Sequence, residues 1–339
     1  MKIAIQPSAN SFSDLWMSYC KAQQIPFKLV NCYDSDIIQQ VSDCDIVLWH
    51  FNHQNAKDRL CAKSILSSIR AAGKLTFPDE ASSWHFDDKV AQKYLLESIG
   101  APLVPSYVFY DQASALDWCN TTSFPKVFKL KGGAGASNVQ LVKNVGAAAQ
   151  LIQQAFGKGF SQYNSWSGLK ERIRKYRNGK TSLKDVAKGI GRLFIKNEFE
   201  RMAGREKGYA YFQDFIPNNS YDIRVIVIGN KAFAIKRNVR ENDFRASGSG
   251  SIEYDKSFFD EGSIQLAFSI SQKLNAGCLA YDFVYHNNEP LIVEISFGFA
   301  VVGYGPCPGY WTNDMQWHEG AFIPQHWMIE DLMHTIKNA

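Results

Sequence analysis

The chain has 339 residues, of which 45% are hydrophobic and 14% aromatic, and its formal net charge is +4. This composition excludes a disordered chain, and the length suffices for two or three packed subdomains. No apolar stretch reaches the length of a membrane span, and MKIAIQPSANSFSD is too poor in apolar residues to be read as a signal peptide. The seven cysteines are odd in number and show no CxxC pair, so we expect reduced thiols in a soluble, cytoplasmic protein.

The first 80 residues alternate short apolar runs with helical patterns. In chain order the apolar runs read KIAI, PFKLVN, DIVLWH and KLTF. Because strands that are joined by helices pair in parallel, this alternation predicts a parallel sheet with crossover helices. We therefore place a first α/β domain over about residues 1–80.

Residues 87–100, DDKVAQKYLLESIG, are typical of a helix with an acidic start and a glycine at its end. The apolar side chains at helical spacing are Val90, Tyr94, Leu95 and Ile99. We expect this face of the helix to be buried.

Residues 124–139, FPKVFKLKGGAGASNV, combine a short apolar run with a glycine-rich turn. Few side chains obstruct such a turn, so its backbone can close over phosphate oxygens. Lys129 precedes the turn as a point charge for phosphate, and strand alternation puts Lys131 on the same face. The lysine precedes the glycines, which excludes a P-loop, and an ordinary hairpin turn after a surface lysine is the alternative.

Basic residues are concentrated in an insertion over about residues 156–207. Between residues 158 and 207 there are fourteen Lys or Arg against five Asp or Glu. Such a surface could receive an acidic polysaccharide, a lipid-linked acceptor on an anionic membrane face, or nucleic acid, although no specific nucleic-acid recognition is predicted. A solvated helical lid is the equal alternative.

The segment over residues 222–245 carries four arginines, of which three are candidate site residues. Asp222 and Arg224 stand two residues apart on one predicted strand face, where the arginine could bind a phosphoryl or carboxylate group, or pair with Asp222. Arg237 and Arg245 come next. Their place between the glycine turn and the acidic residues below favours a binding role over a solvated rim.

Residues 281–296, YDFVYHNNEPLIVEIS, predict a strand pair with acids at both ends. Asp282 and Glu294 alternate with apolar neighbours. Pairing YDFVY with LIVEI would therefore aim both carboxylates from one surface at a hard cation such as Mg²⁺.

The order of these motifs resembles the ATP-grasp superfamily, and most closely its RimK-like branch of carboxylate–amine ligases. The resemblance extends from about Asp87 to Glu294 and includes YFQDFI, which matches the family's QE[FY]I hinge. It implies an α/β (α+β) ATP-grasp fold behind an N-terminal Rossmann-like domain. The implied divisions are 1–80 for that domain and 81–339 for the ATP-grasp region, with a central subdomain at about 105–215 and a catalytic subdomain at about 216–339.

The resemblance also implies ATP and Mg²⁺ as cofactors. The predicted nucleotide-binding residues are Lys89, Lys129, Lys131, Gly132, Gly133, Gly135, Gln213, Asp214, Phe215, Ile216 and Asp222. Asp214 stands where the family has Glu, and a buried edge strand would explain Phe215 and Ile216 equally well.

The predicted metal ligands are Asp282, Glu294 and Ser296. Ser296 stands where the family has Asn, and its hydroxyl is a shorter and poorer ligand for a hard cation than an amide oxygen. The predicted catalytic residues are Arg224, Arg237 and Arg245, of which Arg237 matches the arginine that faces the acyl phosphate in the family.

The reaction implied by the resemblance has two steps. A carboxylate attacks the γ-phosphate of ATP to give an acyl phosphate and ADP, and an amine then displaces phosphate to form an amide. Both substrates are expected to be small molecules, apart from a possible acidic saccharide acceptor. A kinase of the same fold and a nucleotide-binding module without turnover are the alternatives.

The C-terminal tail carries many aromatic residues. Its CPGYW and WHEG motifs look like those of RimK-like proteins found with surface-polysaccharide synthesis, where an amino acid would be joined to a uronic acid. The aromatic residues, which either stack on sugar rings or pack as a strap across two domains, are Tyr304, Tyr310, Trp311, Trp317 and Trp327. His50 and His53 in HFNH lack ligand spacing, and we predict neither as a metal ligand.

Overall fold

The computed structural model describes residues 1–133, 138–161, 169, 172–173, 176, 181–194, 204–240 and 243–338. Gly135 and 24 of the 52 residues of the basic insertion therefore lie outside the described residues. No helix in the described ranges is long and apolar enough to cross a membrane. All seven cysteines are free thiols, and all except the half-buried Cys61 are buried.

The N-terminal strands form the parallel sheet that the apolar alternation predicts, in the order β2-β1-β3-β4. These strands are β1 (Ile3–Ile5), β2 (Phe27–Leu29), β3 (Ile46–Leu48) and β4 (Leu75–Phe77). The helices that connect them are α1 (Phe12–Ala22), α2 (Ile37–Gln40) and α3 (Ala56–Ala71). Two helices follow, α4 (Glu80–Ser83) and α5 (Lys89–Ser98).

Helix α5 has the predicted start, and its predicted apolar face is buried only in part. The Asp88 carboxylate caps the helix by accepting a hydrogen bond from the Ala91 N–H. Leu95 and Ile99 are partly buried against a hydrophobic core, whereas Tyr94 is 45% exposed. The fully buried residues are Lys89, Gln92 and Leu96, because the helix also packs this side against strand β15 (Glu289–Ser296) and the cleft described below.

A four-stranded antiparallel sheet has the order β5-β10-β6-β7. Its strands are β5 (Ser106–Phe109), β6 (Lys126–Lys129), β7 (Val139–Val142) and β10 (Ala210–Asp214). Helices α6 (Gln112–Thr121) and α7 (Val145–Phe156) complete its hydrophobic core, which is separate from the other two cores. Beyond it lie the pair β8 (Phe160–Ser161) and β9 (Arg205–Glu206) and helix α8 (Leu183–Phe194).

The remaining strands form a seven-stranded antiparallel sheet in the order β15-β14-β11-β12-β16-β17, with β13 paired to β12. Besides β15, its strands are β11 (Tyr221–Ile228), β12 (Lys231–Asn238), β13 (Ile252–Glu253), β14 (Cys278–His286), β16 (Gly309–Thr312) and β17 (Trp317–Glu319). The accompanying helices are a 3-10 turn (Lys256–Phe258), α9 (Glu261–Leu274) and α10 (Pro324–Asn338).

The parallel sheet and the seven-stranded sheet share one hydrophobic core. The rings of Phe12 and Phe299 lie 4.7 Å apart between centroids, and those of Phe51 and Phe297 lie 4.9 Å apart. Residues 1–80 therefore form a sheet of their own without a core of their own.

The aromatic tail belongs mainly to the packing of this C-terminal unit. Trp311 and Trp327 are buried, and the Trp327 ring stacks on Phe322 with centroids 4.9 Å apart. Of the five tail aromatics, Tyr304 lines the central cleft described below. The packing alternative thus describes these rings better than a sugar-stacking surface does.

Candidate active site

A cleft with a volume of about 600 Å³ lies where the three larger sheets meet. This volume is in the range of ligand-binding pockets in enzymes. The predicted site residues that line the cleft are Lys89, Lys129, Gly133, Gln213, Asp214, Phe215, Ile216, Asp222, Arg224, Arg245, Asp282, Glu294 and Ser296.

Two buried lysines enter the cleft from different elements. Lys89, at the start of α5, lies with Nζ 3.1 Å from Glu294 Oε1 and donates a 2.9 Å hydrogen bond to the Gly133 carbonyl. Lys129, at the end of β6, donates to Gln213 Oε1 on the neighbouring strand. Each side chain is only 5% exposed, which contradicts the surface-lysine alternative for both.

The two lysines differ in electrostatics. Burial lowers the pKa of Lys129 to about 8, since Glu294 and Asp282 offset only part of the desolvation. Burial also acts to lower the pKa of Lys89, but Glu294 and Asp87 outweigh it and hold the pKa above its usual value. Lys89 is therefore a fixed charge, whereas Lys129 titrates in the alkaline range.

The two acidic residues that are predicted to bind the metal ion face each other across the strand pair. Asp282 on β14 and Glu294 on β15 are direct cross-strand partners, next to a β-bulge, as the alternation predicts. Asp282 Oδ1 lies 2.8 Å from Arg224 Nη1 and 3.0 Å from Arg237 Nη2. Burial favours the neutral acid, but the two guanidinium groups outweigh it and hold the pKa of Asp282 below its usual value.

The charges form a row across four strands of the seven-stranded sheet. Asp222 faces Arg237 between β11 and β12, and Arg224 faces Asp282 between β11 and β14. Arg237 binds both oxygens of Asp222, at 2.6 and 2.7 Å. The predicted alternative of an Asp222 to Arg224 pair was wrong, because both residues prefer partners directly opposite on neighbouring strands over each other.

The three arginines have different access to the cleft. Arg237 is enclosed by Asp222 and Asp282 and is not on the cleft wall. Arg224 is on the wall, and its Nε is buried without a hydrogen-bond partner among the described residues. Arg245 is also on the wall, with its guanidinium group on the Asp243 carboxylate.

The donor set fits Mg²⁺ only together with other ligands. Asp282 and Glu294 supply carboxylate oxygens, which Mg²⁺ prefers. Among the described residues, no cluster of three or more His, Cys, Asp or Glu side chains could hold a metal by itself. The Ser296 hydroxyl donates to the Gly298 carbonyl at 3.2 Å and accepts from the Gly298 N–H at 3.1 Å. Mg²⁺ usually keeps several waters and substrate phosphates as ligands, so two carboxylates are a sufficient protein contribution.

The described part of the glycine turn is held from its outer side. The Lys131 N–H donates to Glu206 Oε2 at 3.1 Å and to the Tyr209 hydroxyl at 2.6 Å. The Gly133 N–H donates to Asp87 Oδ1 at 2.7 Å. A Cβ at Gly132 would lie 3.1 Å from Asp87 Oδ2, so this residue must be small for the turn to approach the acid.

Lys131 does not share the cleft with Lys129. Its side chain is 50% exposed, with Nζ 3.3 Å from Asp88 Oδ2 in a second, open groove. Strand β6 ends at Lys129, so the two-residue alternation no longer applies at position 131. The expectation that both lysines share one face was wrong for this reason, and Gly132 is likewise absent from the cleft wall.

The predicted hinge lies at the other end of the cleft. Gln213 connects three elements, since its side chain accepts from Lys129 and donates to Ser106 Oγ at 3.1 Å. The Asp214 carboxylate pairs with buried Lys126 at 2.6 Å. Phe215 and Ile216 follow the end of β10, which lies between β5 and β6, so they are half-buried wall residues instead of part of a buried edge strand.

The opposite wall of the cleft comes from the N-terminal parallel sheet, and sequence reasoning assigned it no role. Asn10 follows β1, and His50, Asn52 and His53 follow β3. In open α/β sheets, ligands bind beyond the carboxyl ends of the strands. That rule, applied to the four predicted strands, was the available signal for these side chains.

Residues 195–302 match the model of the RimK-like ATP-grasp domain. No curated protein sequence matches the chain.

Solved structures are similar over nearly the whole length. A RimK domain ATP-grasp protein from Sphaerobacter thermophilus is 15% identical, with a TM-score of 0.56 and coverage of 98% of this chain and 99% of that one. The D-alanine–D-alanine ligase of Bacillus anthracis is 12% identical, with a TM-score of 0.58 and coverage of 100% and 99%. The ATP-grasp ligase PsnB, complexed with a minimal precursor, Mg and ADP, is 11% identical, with a TM-score of 0.54 and coverage of 99% and 98%.

These likenesses establish the fold. The chain therefore has the ATP-grasp fold, and its residues 195–302 are similar to the RimK-like ATP-grasp domain.

Proposed function

We propose that this protein is an ATP-dependent ligase that joins a carboxylate to an amine through an acyl phosphate. The observation that supports this function is the meeting of Lys89 and Lys129 with Asp282 and Glu294 in one cleft of an ATP-grasp fold. These two cations and two anions match what a triphosphate and its magnesium need.

In the first step, a substrate carboxylate oxygen attacks the γ-phosphorus of ATP, and ADP leaves. Phosphoryl transfer depends mostly on positioning and charge neutralisation. Lys89 supplies a fixed positive charge to the phosphate oxygens, Lys129 adds a second charge below about pH 8, and the glycine turn at Gly133 excludes water from the acyl phosphate.

Asp282 and Glu294 would hold Mg²⁺, which enters with the phosphates of ATP. When bound, the ion neutralises charge on the transferring phosphoryl group. Arg224 and Arg237 lower the pKa of Asp282, which keeps this acid ionised, and Lys89 lies 3.1 Å from Glu294.

In the second step, the amine attacks the acyl carbon and phosphate leaves. The oxyanion that forms needs a positive donor on the cleft wall. We assign this role to Arg224 and not to Arg237. Arg224 lies on the cleft wall, and its buried Nε has no partner among the described residues, while its two terminal nitrogens donate to Asp282 and to the Gly298 carbonyl. Arg237 is not on the wall, and it donates to Asp222 from two nitrogens.

For the substrates, we propose an amino acid as the amine and a uronic acid of a surface polysaccharide as the carboxylate. The CPGYW and WHEG motifs of the C-terminal tail support this choice of substrates. Two structural neighbours have other named partners, D-alanine in one case and a precursor peptide in the other. Amino acids and acidic peptides therefore belong in the same test as candidate carboxylates.

The test is an ADP-release screen in which amino acids are paired with uronic acids and with acidic peptides. A ligase releases ADP only when both partners are present. Replacing the amine by hydroxylamine should convert the acyl phosphate into a hydroxamate, whereas a kinase would give a stable phosphorylated product and no hydroxamate. Calorimetry that detects no uptake of Mg·ATP would refute the proposal outright.

A further inference from the structure

The HFNH segment lies at the ligand-binding edge of the parallel sheet. In the order β2-β1-β3-β4, helix α1 leads from β1 to one side and helix α2 returns to the other side, so the strand order reverses between β1 and β3. Ligands of open α/β sheets bind at such a reversal. Asn10 after β1 and His53 after β3 both line the cleft at this point.

The turn that carries His53 is fixed by its neighbours. The Asn52 N–H donates to Asp58 Oδ2 at 2.6 Å, and the Gln54 N–H donates to Asn52 Oδ1 at 2.8 Å. The His53 ring lies edge-on to Phe86, with centroids 6.0 Å apart. The backbone that carries the imidazole is therefore fixed before any substrate binds.

His53 Nε2 is buried and has no hydrogen-bond partner among the residues that the structure describes. A buried polar atom without a partner costs about 1–3 kcal/mol, and such atoms in native proteins call for an explanation. Burial lowers the pKa of His53, and Lys89 and Arg59 act in the same direction, against Asp87 and Glu294. The imidazole is therefore neutral near pH 7.

The neighbouring His50 is engaged differently. Its Nδ1 accepts a 3.4 Å hydrogen bond from the Phe12 N–H and lies 2.9 Å from the Ser11 hydroxyl. Because Nδ1 is the acceptor, the ring proton of the neutral form lies on Nε2, which faces Gly298. His50 can thus donate a hydrogen bond into the cleft but cannot accept a proton there.

We propose that His53 is the general base of the amide-forming step, an inference that rests on the proposed ligase function. The amine nitrogen forms a bond to the acyl carbon, the bond from that carbon to the phosphate oxygen breaks, and phosphate leaves with the electron pair. The proton that the nitrogen sheds passes to His53 Nε2. This role requires that His53 carries its own proton on Nδ1, the opposite tautomer to His50.

The test compares two nucleophiles with the carboxylate that the ADP-release screen selects. In His53→Asn, amide formation should fall about 100-fold, the usual contribution of a general base. Hydroxamate formation should stay within about twofold, because hydroxylamine is neutral and strongly nucleophilic at pH 7. Added imidazole should partly restore amide formation in His53→Gly, and His334→Asn on the exposed face of α10 is the matched control.

Two outcomes overturn the proposal. An equal loss of hydroxamate and amide in His53→Asn would show that the residue serves binding or the first step. Nitrogen NMR of histidine-labelled protein with Mg·ATP, assigned by the signal missing in His53→Asn, would also overturn it if Nε2 carries the proton. A wild-type enzyme that forms no hydroxamate with any carboxylate would instead refute the ligase function, and the assignment of His53 would fall with it.

Discussion

The two walls of the cleft differ in kind. The wall from the antiparallel sheets is charged, and its carboxylates and cations form a network in which Asp282 alone contacts two arginines. The wall from the parallel sheet is neutral, with Asn10, His50 and His53. A charged wall suits a triphosphate and a cation, whereas neutral donors and acceptors discriminate between substrates. Under the proposed function, we therefore expect the nucleotide on the charged wall and the amine on the neutral wall.

The largest effect is expected from Asp282→Asn, which disrupts the charged wall at its centre. Turnover should fall by about 1,000-fold, because the substitution removes a proposed metal ligand and also the carboxylate that pairs with Arg224 and Arg237. The free energy of unfolding should decrease by about 3 kcal/mol, the usual cost of removing one partner from a buried ion pair. ADP release and urea denaturation measure the two effects. Unchanged function in this variant would favour a nucleotide-binding module without turnover.

The next effect separates two lysines that are two residues apart. Lys129→Met should lower turnover by about 100-fold, since a buried charge that faces the phosphates is lost. Lys131→Met should change turnover by less than about twofold, because its side chain is half exposed and paired with Asp88 outside the cleft, where ion pairs contribute little. Similar losses in both variants, at equal melting temperature, would place Lys131 in the nucleotide site after all.

A smaller effect comes from pH. The pKa of Lys129 is lowered from its usual 10.5 to about 8, so the folded protein loses this charge as the pH rises through 8. Affinity for a non-hydrolysable Mg·ATP analogue should therefore fall, by about tenfold between pH 8 and 9 at most. Calorimetry of Lys129→Arg should show a flat profile, because arginine stays charged. A flat profile in the wild type would contradict the neutralisation of Lys129 in this range.

The lowered pKa of Lys129 also makes the free energy of unfolding depend on pH. Between about pH 8 and 10.5 the unfolded chain holds a proton at Lys129 that the folded protein has released. Stability from this group therefore rises with pH in that window, opposite to the trend in nucleotide affinity. Opposite slopes of melting temperature and affinity would identify the lysine as their common source.

The smallest effect tests the departure from the family pattern. In Ser296→Asn, an amide oxygen replaces a hydroxyl that is occupied by Gly298. We expect the Mg²⁺ concentration for half-maximal ADP release to fall about threefold, which is about 0.6 kcal/mol. Ser296→Ala is the matched control and should raise this concentration slightly or leave it unchanged. A higher requirement in Ser296→Asn would mean that the amide displaces the Gly298 turn.

The sequence predicted the charged wall well because its features are local. Alternation along a strand pair was enough to bring Asp282 opposite Glu294, and the four apolar runs were enough for the parallel sheet. Alternation failed at Lys131, where the strand had already ended. Helix α5 shows the other limit, since periodicity identified the helix but did not indicate that Lys89 and Gln92 are buried beside Leu96.

The neutral wall could not be predicted from residue types. His50 and His53 have no metal-ligand spacing, and a lone histidine has no preferred chemistry until its neighbours are known. Their role depends on a reversal of strand order and on an N–H of Phe12 that fixes one tautomer. Both depend on contacts between residues that are distant in sequence, and so does the pairing of Asp222 with Arg237.

The ring contacts between Phe12 and Phe299 and between Phe51 and Phe297 limit how this protein can be recombined with its relatives. A chimera that exchanges only the N-terminal segment would introduce foreign side chains into the core that the seven-stranded sheet shares. Exchanges that keep those four phenylalanines should yield protein that folds, while exchanges that ignore them should aggregate on expression. The four-stranded antiparallel sheet (β5-β10-β6-β7) has a separate hydrophobic core and is therefore the better module to transplant.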